Sequence, residues 1–218
     1  MTIIKNHRLP LFLAILFSLL FSYYSINRHL TFNSHALDLG IFTQTAYLYS
    51  QNKVPFSSLK HMVILGDHFD PVMFFIGQIY RFFPSSETLL FLQALFVSFS
   101  CIPIYLISRD KLRDSRLSFL ITLSYISSPS ILRAIGFDFH PGTMSLLPLS
   151  IILYAWYFNF KKLYWITLFL SLLFKEDVTF FISGLGVYQM FTGRKVNGFI
   201  SIVFAITSLY LIKFHVAH

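Results

Sequence analysis

The sequence predicts an all-α, polytopic membrane protein. Of its 218 residues, 56% are hydrophobic and only 12% charged, whereas an ordinary soluble domain carries about a quarter charged residues. With 27 Phe and 12 Tyr there is too little polar surface to cover a water-soluble globule. The Lys and Arg residues behind the net charge of +8 stand in short clusters between apolar runs, which reads as membrane topology rather than as a nucleic-acid face. The same composition excludes a soluble enzyme, a disordered chain and a disulfide scaffold. The lone Cys101 can form no intrachain disulfide.

A hydrocarbon core of about 30 Å needs roughly 17–25 residues of helix. Residues 9–26 supply a first span behind Lys5 and Arg8, ending at Tyr23 and Tyr24. No small-residue cleavage site follows, so the span reads as an uncleaved anchor. Charge-free runs at 88–108, 117–132, 142–160 and 196–212 supply four more. The apolar stretch 163–192 is interrupted by Lys175-Glu176-Asp177. Three charges at a helix midpoint would cost on the order of 8–10 kcal/mol if additive. A corner at the membrane surface between two short spans is cheaper, and it brings the expected total to seven.

Residues 71–83 are too short to cross and contain Arg81, so they read as a surface helix. With that segment kept out of the membrane, one side receives Lys5, Arg8, Arg109, Lys111, Arg113, Arg116, Lys161, Lys162, Arg194 and Lys195, against only Asp110 and Asp114. By the positive-inside rule this is the cytoplasmic side, where the N-terminus also lies. Tyr154, Trp156, Tyr164 and Trp165 bracket Lys161 and Lys162 as an inner aromatic belt. The acidic and histidine-bearing motifs at 38–40, 66–71, 137–141 and 175–177 then all fall on the outer face of a plasma membrane.

Residues 27–87 form the one long outer loop. Its segment 35–50 reads as a partly amphipathic surface helix with Leu37, Ile41 and Leu48 on one side. Residues 54–60 read as loop, and Asp70 is placed as N-cap of the second surface helix. Asp38 is read either as a carboxylate stabilised at a helix start or as a general base aimed at a bound hydroxyl. Asp67, His68 and Asp70, with Asp138 and His140, have ligand types suited to a divalent cation, or serve as turn and cap residues. Lys175, Glu176 and Asp177 form a self-neutralising corner, or place Lys175 beside a bound phosphate. Arg133 either snorkels or contacts an anionic lipid head group. His29, His61 and His215 receive no role. No nucleotide-binding loop and no nucleophile elbow is present.

The series DLGIF at 38–42, GDHFDP at 66–71, FDFHP at 137–141 and KED at 175–177 resembles the prokaryotic membrane proteins grouped as domain of unknown function 2079. That family in turn is similar to the GT-C glycosyltransferases, polytopic enzymes that use sugars carried on isoprenoid phosphates. The resemblance implies one membrane module over 1–218, with a first span, an outer loop bearing two surface helices, and six further spans. It implies a catalytic Asp at position 38 and an acidic motif at 138–140, where His140 replaces a second acid. Its implied partners are the bilayer and an isoprenoid-phosphate sugar donor. Proteins of this kind usually continue past the seventh span, so the end at His218 is read as a fragment, a split gene or an inactive remnant, with a partner subunit to supply the missing part. The alternative is a non-catalytic scaffold, lipid-binding or transport component. Spans nearly free of ionisable groups argue against translocation.

Overall fold

The computed structural model describes residues 8–35 and 37–216. Lys5, counted above among the inner basic residues, lies outside them, as does the side chain of His215. The chain is helical almost throughout.

Helix α1 (Arg8–Leu30) buries Leu13, Ala14, Ser18, Phe21, Ser22 and Ser25, one helical stripe. Its Phe12, Leu19 and Tyr23 point outward. The stripe packs antiparallel on α4 (Ser86–Phe99), which continues through Ser100 into α5 (Cys101–Leu112) as one 27-residue helix. His29 Nε2 lies 3.1 Å from Ser86 Oγ at one end, and Cys101 Sγ 4.0 Å from Pro10 O at the other. Asp114 opens α6 (Ser115–Ile126) by accepting hydrogen bonds from the Arg116 and Leu117 amides at 2.7 and 3.1 Å. Helix α7 (Pro129–Phe137) follows with a 42° bend. Pro129 lacks an N–H and holds Ser128 in an extended conformation, so the helix cannot run on.

The second half consists of shorter helices: α8 (Pro141–Met144), α9 (Leu146–Tyr157), α10 (Lys161–Ser171) and α11 (Val178–Phe191), then α12 (Lys195–Val216). Among the described residues three helices are long and apolar enough to cross a membrane: α1, the joined α4–α5 and α12. A fourth is reached if the bent α6–α7 pair counts as one span. The expected total of seven is therefore not reached by length. Helices α9 and α11 begin in residues that line a cavity, and Phe174 just beyond α10 lines it too. The helices stop there instead of running the full width of a bilayer.

Helices α11 and α12 touch backbone to backbone at Gly186 and Gly198. A Cβ on Gly186 would stand 2.8 Å from Gly198 O, and one on Gly198 would overlap Gly186 O. Gly198→Leu is expected to destabilise the protein by about 1–3 kcal/mol through overpacking. Gly184, with open space around it, should accept the same change. Paired thermal unfolding in detergent checks this, and equal melting of the two variants would refute the close contact.

Tyr164 turns into the bundle rather than outward. It is 4% exposed, its hydroxyl lies 2.8 Å from Ser201 Oγ, and it accepts a hydrogen bond from Gln189 Nε2 at 2.7 Å. Three polar groups satisfy one another in an otherwise apolar core. The basic turns share one end of the bundle: Tyr157 donates to Asp110 at 3.0 Å, and Arg194 donates to Trp156 O and covers its ring at 5.3 Å.

The long loop carries α2 (Leu37–Ser50) and α3 (Val72–Tyr80), with a two-residue antiparallel ribbon whose β1 (Phe56–Ser57) falls inside the stretch expected to be plain loop and whose β2 (Met62–Val63) follows it. The buried residues of α2 include Leu39, Phe42, Ala46 and Tyr49 along with the expected Ile41, whereas Leu37 is 59% exposed. Helix α3 sets the difference. It packs on α2, donating from Gln78 Nε2 to Tyr49 O at 3.1 Å and from Arg81 Nε to Ser50 O at 2.8 Å. Those two side chains reach the last carbonyls of α2, where Tyr49 O also accepts from the Asn52 amide at 3.0 Å.

Candidate active site

The centre of the site is a side chain the sequence reading passed over. Gln93 sits within α4 and is 1% exposed. Its Nε2 donates to Asp138 O at 3.0 Å, and its Oε1 accepts from the His140 amide at 2.7 Å. One amide thereby holds the strand-like link between α7 and α8 that carries Asp138 and His140. The available signal was a polar amide side chain, the sixth residue of the charge-free run 88–108. Gln93→Leu leaves both backbone groups buried without partners, at about 1–3 kcal/mol each. A lower melting temperature and faster amide exchange at His140 are expected, and unchanged exchange would count against the clamp.

The other loops gather around this one. His140 Nε2 lies 3.4 Å from Asp38 Oδ2, in the first turn of α2. Glu176 reaches across to the long loop, accepting from His68 Nδ1 at 2.9 Å and from the Phe69 amide at 3.1 Å. The Val72 amide donates to Leu173 O at 2.8 Å, a second tie between the same two segments. Lys175 lays its aliphatic stem over Gly142, where an added Cβ would stand 3.1 Å from Lys175 Cδ, and its Nζ lies 3.1 Å from Asp177 Oδ2. Asp67 pairs with Lys60 at the outer edge and lies 3.9 Å from His68 Nε2.

Asp70 does not cap α3. Pro71 holds the cap position, and both Asp70 carboxylate oxygens are buried with no hydrogen-bond partner. The side chain is 2% exposed. Burial pushes its pKa up from 3.8 to about 7, with Glu176 and Asp67 adding to the rise and Lys175 opposing it. Asp138 is likewise 2% exposed with both carboxylate oxygens unpartnered. Burial holds the His140 imidazolium below the usual histidine range, and Lys175 and His68 push the same way. Asp38 and Asp138 oppose them. His140 is therefore biased toward the neutral imidazole.

Some of these groups line a cavity of about 530 Å³, whereas Asp38, Asp67, Asp138 and Glu176 are not among its lining residues. His68, Asp70, His140 and Lys175 supply its polar rim, while Ile131, Leu146, Leu149 and Phe181 form an apolar wall. Asp177 also lines it, with its side chain 65% exposed. Arg133 is exposed on α7 and is not among the lining residues, although Ser130 and Ala134 on that helix are. Among the described residues no three His, Cys, Asp or Glu side chains converge to hold a metal ion. Asp138 and His140 stand as two groups on their own. The rise from Gln93 to Asp110 along α4–α5 is about 25 Å at 1.5 Å per residue, so the site and the basic turns occupy opposite ends of the bundle.

Apolar helices of spanning length, with a cavity of mixed polar and apolar lining toward one end, define a polytopic membrane protein. More particularly, the chain belongs to the family described as predicted membrane protein (DUF2079), whose model matches residues 28–217. Neither a curated protein nor a solved structure gives a match.

Proposed function

We propose that this membrane protein is a glycosyltransferase of GT-C type that takes a sugar from an isoprenoid phosphate at the outer face. The observation carrying the reading is Asp38 paired with His140, which lines a cavity that joins Lys175 to an apolar wall. The wall of Ile131, Leu146, Leu149 and Phe181 suits the first isoprene units. Lys175 and His68 face the phosphate. The free oxygen of Asp38 takes the proton of the acceptor hydroxyl as that oxygen attacks the anomeric carbon. The sugar–phosphate bond breaks with inversion, its electron pair leaves on the phosphate, and Lys175 offsets the added charge. Glu176, Asp67 and Asp70 hold and tune the two facing segments, Asp177 positions Lys175, and Arg133 contacts the lipid head group. The whole chain, 1–218, acts as one module, with its basic turns toward the cytosol and its N-terminus inside.

The reading is tested by adding radiolabelled polyprenyl-phosphate hexoses to membranes that carry the protein. Label is expected to move to an acceptor with the wild type and not with Asp38→Asn. Equal transfer by both would remove Asp38 from the chemistry, and no transfer by either would leave lipid binding without turnover as the function of the cavity.

A further inference from the structure

At the opposite end of the bundle, α5, α6 and α9 enclose a groove of about 360 Å³. Ile104, Ile107, Ser108 and Lys111 line it from α5, Ile121 from α6, and Leu153 and Trp156 from α9. Residues 104, 107, 108 and 111 form a single helical stripe, about 10 Å long at 1.5 Å per residue. The one hydroxyl in the stripe, Ser108 Oγ, is turned back to Tyr105 O at 2.9 Å, so the floor offers nothing polar.

The rim has the opposite character. Lys111 closes the groove at the last turn of α5, and Arg109, Arg113 and Arg116 surround that turn. Two acids stand nearby, Asp110 beside the lining residue Tyr157 and Asp114 at the start of α6, so the four basic residues exceed them by two (4 − 2). Asp110 accepts from the Tyr157 hydroxyl, and Asp114 caps α6. The Lys111 ammonium makes no ion pair among the described residues. A dry channel ending at unbalanced positive charge, on helices that face lipid, matches an acyl chain continuous with an anionic head group.

We infer that this groove is a binding site for one chain of an anionic phospholipid, whose phosphate is held by Lys111 and the adjoining arginines. The site lies on the far side of the bundle from the Asp38–His140 cavity and does not depend on the transfer reading.

Trp156 lines the groove, and the chain has only one other tryptophan, Trp165. In a Trp165→Phe background, the protein is placed in vesicles of dioleoylphosphatidylcholine. Chain-brominated phosphatidylglycerol or brominated phosphatidylcholine is then mixed in at equal mole fractions. Brominated phosphatidylglycerol is expected to quench Trp156 at a mole fraction about fivefold lower for each basic side chain engaged. Lys111→Gln, on the exposed rim, should bring the two lipids closer together. Ser108→Leu, which fills the floor, should weaken quenching by phosphatidylglycerol. Equal quenching by both lipids in the Trp165→Phe protein would show ordinary surrounding lipid and overturn the site. So would quenching indifferent to both Lys111→Gln and Ser108→Leu.

Discussion

Asp38→Asn is expected to reduce sugar transfer by about 10²- to 10⁴-fold, the usual contribution of a positioned general base. Asparagine keeps the size and hydrogen-bonding capacity of the side chain but cannot accept a proton. Asp38 faces a neutral imidazole, because burial and the flanking Lys175 and His68 depress the His140 pKa. The pair is therefore not a closed salt bridge, and the carboxylate remains available to the acceptor. Asp38 is half-buried at the edge of the site rather than in the core, so Asp38→Asn should melt like the wild type. His140→Gln separates the roles: if His140 only orients Asp38, transfer falls less than in Asp38→Asn. Wild-type transfer rates from a normally folded Asp38→Asn would remove Asp38 from the chemistry.

The second large effect is on stability. Asp70 has its pKa raised by burial to about 7 in the folded protein, against an ordinary 3.8. Between those values the folded state keeps a proton that the unfolded state has lost. The stabilising contribution is thus present at low pH and is lost as pH rises through about 7. At about 1.4 kcal/mol per pH unit the interval corresponds to about 4 kcal/mol. Asp70→Asn removes the charge without removing the bulk. It should be more stable than the wild type at pH 8 by up to that amount, by about 1.7 kcal/mol at pH 5, and nearly equal to it only below about pH 4. Thermal unfolding of both proteins in detergent across pH 4–9 measures the difference. A stability difference that does not change with pH would mean that Asp70 keeps an ordinary carboxylate pKa.

The two experiments probe different properties of one constellation. Asp38 is placed where it can react, whereas Asp70 is buried without a partner for either oxygen. An unpartnered buried carboxylate is a liability that natural folds seldom keep without a reason. In the proposed enzyme its charge, once formed, sits beside Lys175 and Glu176 and tunes both.

The helical, membrane-embedded character of this protein was legible in its residues, because hydropathy is a local quantity summed along each segment. The surface helices at 37–50 and 72–80 were legible for the same reason, as was the break at Lys175-Glu176-Asp177, which separates α10 from α11. The separation of the basic turns from the acidic and histidine-bearing motifs was readable from the charge count alone. Other properties depended on contacts between residues far apart in the chain. Gln93 meets Asp138 and His140 across 45 and 47 positions, and Glu176 meets His68 across 108. No periodicity encodes such pairings. Burial of Asp70, the inward turn of Tyr164 and the shortness of the cavity-lining helices came from the same source. Tertiary packing decides which polar groups are taken from water and which partners they find there.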